Sequence, residues 1–145
     1  MAETLGSLSD KLTIIKLKQF HTTDGERLAS LSVQESQLQQ EIDEFIADAI
    51  AGRITRDRLT FASNKVFKEL GNETREVTGT LGEIFSDLAE VNCKLWHEQE
   101  KVYEFETVPA DQKNVVVKEL AKLNLERNKC IDQIDKTFVS MIDAA

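Results

Sequence analysis

Apolar side chains recur at Leu5, Leu8, Leu12 and Ile15, the three-and-four spacing of one helical face, while Ile14 and Leu17 mark a second face. A helix apolar on two sides packs between two neighbours, so this spacing predicts a first helix central to a bundle. The pattern breaks at His21-Thr22-Thr23-Asp24-Gly25, where Asp24 suits an N-cap and Gly25 permits a tight turn. A second helix is predicted over 26–51, ending at Gly52. Its apolar track runs through Leu28, Leu31, Leu38, Ile42, Phe45 and Ala49, is interrupted by Glu35 and is widened by Ile46 and Ile50.

The segment 53–79 is the connection. Thr55 is placed to cap a shorter, basic helix using Leu59, Ala62, Val66, Phe67 and Leu70 and ending at Gly71, with a polar loop over 71–79. That helix is expected to pack across one end of the bundle rather than to hold a ligand. Thr80 and Glu83 then spell a T-x-x-E capping box. The third helix runs on through Trp96 and His97 and is expected to fade over 105–108. Pro109 is assigned to the first turn of the last helix, with Asp111 near its positive end. Val116, Leu120, Leu123, Ile131, Ile134, Phe138 and Met141 form its predicted inner side.

These helices fall into two copies. Sliding the chain by 76 positions pairs Thr4 with Thr80, Leu5 with Leu81, Gly6 with Gly82, Leu12 with Leu88, Lys18 with Lys94 and His21 with His97, six identities in 18 positions. The partner helices align when about 13 residues are inserted in the second turn, which lays Ile42 on Ile131 and Phe45 on Ile134. Neither hairpin buries its apolar faces alone. The expected fold is therefore all-α, a pseudo-symmetric four-helix bundle in one domain, with repeats at 4–52 and 80–145 joined by 53–79.

Positions equivalent by duplication share a structural role unless something intervenes. In the second copy Ile14 becomes Glu90, Leu17 becomes Cys93, Leu38 becomes Arg127 and Ile46 becomes Asp135. Glu90, Cys93 and His97 lie three and four apart on one stripe, where the first copy carries hydrocarbon, so they are expected to face packing. Glu90 is expected to pair with Arg127. One reading makes these charges an ion pair that fixes register or a border to solvent. The other makes them a polar pocket lined by Glu90, Cys93, His97, Arg127, Asn128, Asp132 and Asp135, sized for an anionic or polyhydroxylated ligand.

Metal and catalytic patterns are weak. Di-iron bundles use Glu-x-x-His, but the residue three before His21 and His97 is Lys18 or Lys94, which opposes a cation. His21-x-x-Asp24 and His97-x-x-Glu100 repeat at helix ends, where an acid beside a lone histidine serves as a cap or surface contact. No cofactor is implied: no Gly-rich phosphate loop, GxSxG elbow or CxxC occurs. Cys93 lies one turn before His97, a geometry that permits thiol activation and more commonly holds inert filler.

Composition narrows the partners. A net charge of -8, with acids along the whole 145-residue chain, disfavours nucleic acid and anionic membranes. Two cysteines make no disulfide framework, the first ten residues lack signal-peptide character, and no apolar run reaches the ~20 residues of a membrane span. The cytoplasm is the expected location.

At Leu5-Gly6, Asp10, Leu12, Ile14, Lys18 and His21, at Leu95-Trp96-His97-Glu98, and at Leu123-Asn124, Arg127-Asn128, Ile131 and Ile134-Asp135, the chain resembles an uncharacterised bacterial family, domain of unknown function 4254. Residues 59–68 are similar to the basic-aromatic segment after that family's first hairpin. The LWH hairpin stands first in the family and second here, as a circular permutation of two similar hairpins produces. The resemblance implies an accessory role near cell-surface polysaccharide assembly and assigns no role to its motif positions. A non-catalytic binding or assembly partner, as a homo-oligomer or with another protein, is the first expectation. An enzyme or small-molecule-binding protein using the His97 side is the second.

Overall fold

The structure is a computed structural model that describes residues 2–61 and 76–145. Four helices account for most of them: α1 (Leu5–His21), α2 (Gly25–Ile50), α3 (Leu81–Tyr103) and α4 (Lys113–Ala144). No strand occurs among the described residues, and the all-α bundle is as the periodicity predicts. No helix among them is long and apolar enough to cross a membrane.

Helix starts follow local chemistry. The Thr80 hydroxyl accepts from the Glu83 N–H while the Glu83 carboxylate accepts from the Thr80 N–H, so the predicted capping box is present. Thr4 and Ser7 make the equivalent box at α1. Asp24 caps α2 by accepting from Glu26 N–H at 3.2 Å, and Gly52, at φ +76°, takes the left-handed conformation just beyond that helix.

Two boundaries differ from expectation. Thr55 precedes only a 3₁₀ turn, Arg56–Arg58, without a side-chain cap; the rest of the expected connecting helix, with Ala62, Val66, Phe67 and Leu70, lies outside the described residues. Pro109 does not open the last helix. It accepts from Gln112 N–H at 2.8 Å in a separate turn, and α4 begins at Lys113 after a 3₁₀ turn at Phe105–Thr107.

As its two apolar faces require, α1 is central and packs against α2, α3 and α4. Its contacts run in the same sense along α3, with Asp10 on Asn92 and His21 on Trp96, and in the opposite sense along α4, with Gly6 on Asp135 and Asp10 on Arg127. Leu5, Ile84, Leu88, Val91, Leu123, Cys130, Ile134 and Phe138 fill the core, joined by Ala49, Leu59 and Val77. Met141, assigned to the inner side of α4, is exposed, and Ile142 rather than Met141 packs against the core in the last turn.

The two hairpins are not equivalent in packing. α4 lies against both α3 and α1, whereas α2 rests chiefly on α1 and fully buries only Leu31 and Ala49. Its far end is fastened by Phe45 against Phe138, ring centroids 6.4 Å apart, and by the Arg56–Asp143 ion pair just beyond it.

Gly6 and Gly82 are equivalent in sequence and opposite in surroundings. A methyl group on Gly6 would overlap the Ile131 carbonyl oxygen and crowd Asp135, while one on Gly82 would meet nothing within 4 Å. Gly6→Ala is therefore expected to destabilise by about 1–3 kcal/mol, since backbone must move. Gly82→Ala is expected to be neutral or to stabilise by up to about 1 kcal/mol through helix propensity. Urea unfolding of both variants checks the pair; equal effects would contradict the close α1–α4 approach.

Candidate functional site

The stripe expected to face packing faces solvent. Glu90, Cys93 and His97 are all exposed, and Glu90 pairs with Lys94 one turn on at 3.2 Å rather than with Arg127. The cause is the unequal packing: α3 spends Ile84, Leu88, Val91 and Asn92 on α1 and α4, and the 90–93–97 stripe falls outside that face. Its counterpart in α1, Ile14 and Leu17, is covered because α1 has a further neighbour. Hydrocarbon at one copy of a repeat thus does not specify burial at the other.

Arg127 instead reaches α1. Its Nε donates to Asp10 Oδ1 at 2.8 Å and its Nη2 to Asp10 Oδ2 at 2.5 Å, a two-pronged pair between a half-buried guanidinium and a buried carboxylate. Asn92 of α3 adds its Nδ2, 3.0 Å from Asp10 Oδ1. Asp10 is 5% exposed and Asn92 1% exposed, so one carboxylate joins α1, α3 and α4 inside the bundle. Hydrogen bonding to Asp10 pushes the Arg127 guanidinium up from its usual value and keeps it charged. Asn92 Oδ1 has no hydrogen-bond partner among the described residues, a cost of about 1–3 kcal/mol that the amide bears because its donor side must face Asp10.

Asp135, the other departure from the repeat, is 4% exposed and closes a different joint. Its Oδ1 accepts from Gly6 N–H at 2.7 Å, so a carboxylate of α4 sits on the positive end of α1, and the Thr4 hydroxyl donates to it as well. Burial pushes this carboxyl up to about 6 against the pull of those two hydrogen bonds, with Asp132 adding to the rise. Asp132 and Asn128 are half-buried on α4.

His21 and His97 come to the same end of the bundle, because the His21 ring stacks on Trp96 with centroids 4.7 Å apart and 23° between planes. Of the two, His21 lines a groove formed by the described residues. A groove of about 420 Å³ there is bordered by Lys18 and His21 of α1, Thr22, Arg27, Ser30, Leu31 and Gln34 of the turn and α2, and Trp96. No group of three or more His, Cys, Asp or Glu side chains converges among the described residues as a metal centre would need. Asp24, one half of a His-x-x-acid pair, is occupied as the α2 cap.

Of the sequence candidates, then, Lys18 and His21 share a groove; Arg127 and Asp135 are buried hairpin joints; Glu90, Cys93, Lys94 and His97 stand on the outside. Asp10, Asn92 and Arg27 were not among the candidates. Asp10 had a signal, since it stands one turn before Ile14 and two before Leu17 on an otherwise apolar stripe. Comparison with known protein families, curated proteins and solved structures returns no match for this chain.

Two outcomes test the joints. Arg127→Leu, which restores the residue of the first copy, is expected to cost about 3–5 kcal/mol by stranding Asp10, whereas Asp10→Ala with Arg127→Leu recovers most of it. A single variant as stable as the parent in urea would disprove the buried pair. For Asp135 the folded value lies above the unfolded one, so its stabilisation is full below about 4 and is lost as pH rises through about 6. Relative to Asp135→Asn, the parent is expected to gain about 2–3 kcal/mol between neutral pH and pH ~4. A flat difference across that window would exclude the raised carboxyl.

Proposed function

We propose that the protein is a non-catalytic binding or assembly component rather than an enzyme. One observation carries the reading: the polar residues that set the second repeat apart are divided between buried joints and an outer stripe. Asp10, Asn92, Arg127 and Asp135 are spent on each other and on the α1 backbone. Glu90, Cys93 and His97 share an exposed surface, and none of them lines the three grooves formed by the described residues, so among those residues no nucleophile and base, or acid and base, face a common substrate volume.

One part of the proposal rests on sequence alone and another on exposed apolar surface. A bacterial setting and an accessory place in cell-surface polysaccharide assembly are what the family resemblance of the LWH and LNLERNKCIDQID segments implies, and a cytoplasmic setting is what the cysteine usage and the first ten residues suggest. A protein partner or a second copy suits the exposed apolar side chains, Phe20 and Tyr103 foremost, which are 85% and 81% exposed.

A second reading, a small-molecule-binding protein, is favoured by the groove at His21 and Trp96. In that reading the site moves from Glu90, His97 and Arg127 to the α1–α2 side of the bundle.

Incubating the purified protein with sugar nucleotides and following them by chromatography is expected to leave them unchanged. Turnover that disappears in Glu90→Ala or His97→Ala would overturn the non-catalytic reading.

A further inference from the structure

We propose that the groove at the C-terminal end of α1 binds a small organic phosphate, a phosphorylated molecule that also carries a ring. Its volume of about 420 Å³ lies within the range of small-molecule sites. Three basic side chains, Lys18, His21 and Arg27, line it, and none of its lining residues is acidic. In a chain of net charge -8 that segregation creates a local positive field surrounded by a negative one. A long polyanion is repelled by the whole surface, while a compact anion that fits inside the groove lies closest to Lys18 and Arg27, with the Asp24 carboxylate behind Arg27.

The cations are available. Lys18 is exposed and makes no ion pair among the described residues. Arg27 approaches only Asp24, at 3.8 Å between two exposed side chains, a contact worth little in water and easily exchanged for a doubly charged phosphate. His21 is held for the task on two sides. Its Nδ1 lies 2.8 Å from the Leu17 carbonyl oxygen, which can only accept, so Nδ1 carries the hydrogen. The stacked indole of Trp96 fixes the ring plane, and with Nδ1 as the donor, Nε2 accepts from a ligand hydroxyl or a protonated phosphate oxygen in the neutral ring and donates to a phosphate oxygen only when the ring is protonated.

The remaining lining suits the rest of such a molecule. Ser30 and Gln34, one turn apart on α2, offer a hydroxyl and an amide to ligand hydroxyls, while Trp96 supplies apolar surface for a ring. Lys18 and Gln34 also border a second groove of about 370 Å³ that leads to Arg127, giving room for a ligand longer than the phosphate end.

This site deepens the binding reading above and depends on it only in holding its ligand unchanged. Trp96 is the only tryptophan in the chain, so intrinsic fluorescence reports this groove alone. Titration of the full chain with pyrophosphate and with adenosine monophosphate is expected to give a saturable change that weakens with added salt, and glucose to give none. Lys18→Gln and Arg27→Gln change exposed side chains, so each is expected to keep the parent's helical circular dichroism and to weaken binding roughly tenfold. Lys136→Gln, beside Asp135 at the other end of α1, is expected to leave it unchanged. No saturable change with either phosphate at millimolar concentration, or a Lys18→Gln/Arg27→Gln protein that titrates like the parent, would overturn the site. Pyrophosphate cleavage seen by phosphorus NMR, with the same Lys18 and Arg27 dependence, would keep the site and overturn the non-catalytic reading.

Discussion

The Asp10 carboxylate is the constraint on which the arrangement of the helices turns. Two buried oxygens receive Arg127 from α4 and Asn92 from α3, and the carboxylate itself is almost wholly withdrawn from water while the guanidinium is half-buried. Hydrophobic contact brings helices together but tolerates sliding by a turn, because one leucine can replace another in a groove. A buried carboxylate that must find one guanidinium does not tolerate it. The pair contributes less to stability than to register: its desolvation offsets much of its attraction, yet every shifted packing leaves a buried charge unpaired.

Asp135 performs the matching task at the end of α1. Helix N-termini leave four N–H groups unsatisfied, and α1 meets part of that demand with Thr4 and Ser7 and part with a carboxylate from the opposite hairpin. The close approach at Gly6 follows, since any side chain there would push Ile131 and Asp135 away. Together these joints make α1 as much a member of the second hairpin as of the first. That is why the duplication is visible in the sequence and strongly bent in the packing.

Periodicity and caps made most of the fold legible. The two-faced apolar pattern of α1 predicted its central place, and T-x-x-E at Thr80 fixed a helix start to the residue. The site was legible only in part. Lys18 and His21 were marked by repetition, but Arg27 sits in an ordinary polar first turn and becomes notable only when α2 folds back beside Trp96. The pairing of Glu90 with Arg127 failed because the repeat was treated as a contact symmetry. Helical spacing places Glu90, Cys93 and His97 on one stripe, but only the unequal packing of α2 and α4 decides whether that stripe meets protein or water. Asp10 is the better guide, an acid on a stripe of Ile14 and Leu17 in a helix whose apolar spacing predicts burial on two sides.

The light attachment of α2 has a consequence for motion. This 26-residue helix is pinned at its C-terminal end by Ala49, Phe45 and the Arg56–Asp143 contact, while its N-terminal half covers α1 with Leu31 as its one fully buried side chain. Peeling that half away exposes little apolar surface, so among the four helices it has the least to lose by opening locally, and its amides should exchange with solvent first. Arg27, Ser30 and Gln34 travel with it. The wall of the groove therefore belongs to the most lightly held of the four helices, and anything that occupies the crease between α1 and α2 spends part of its binding free energy on holding that wall shut.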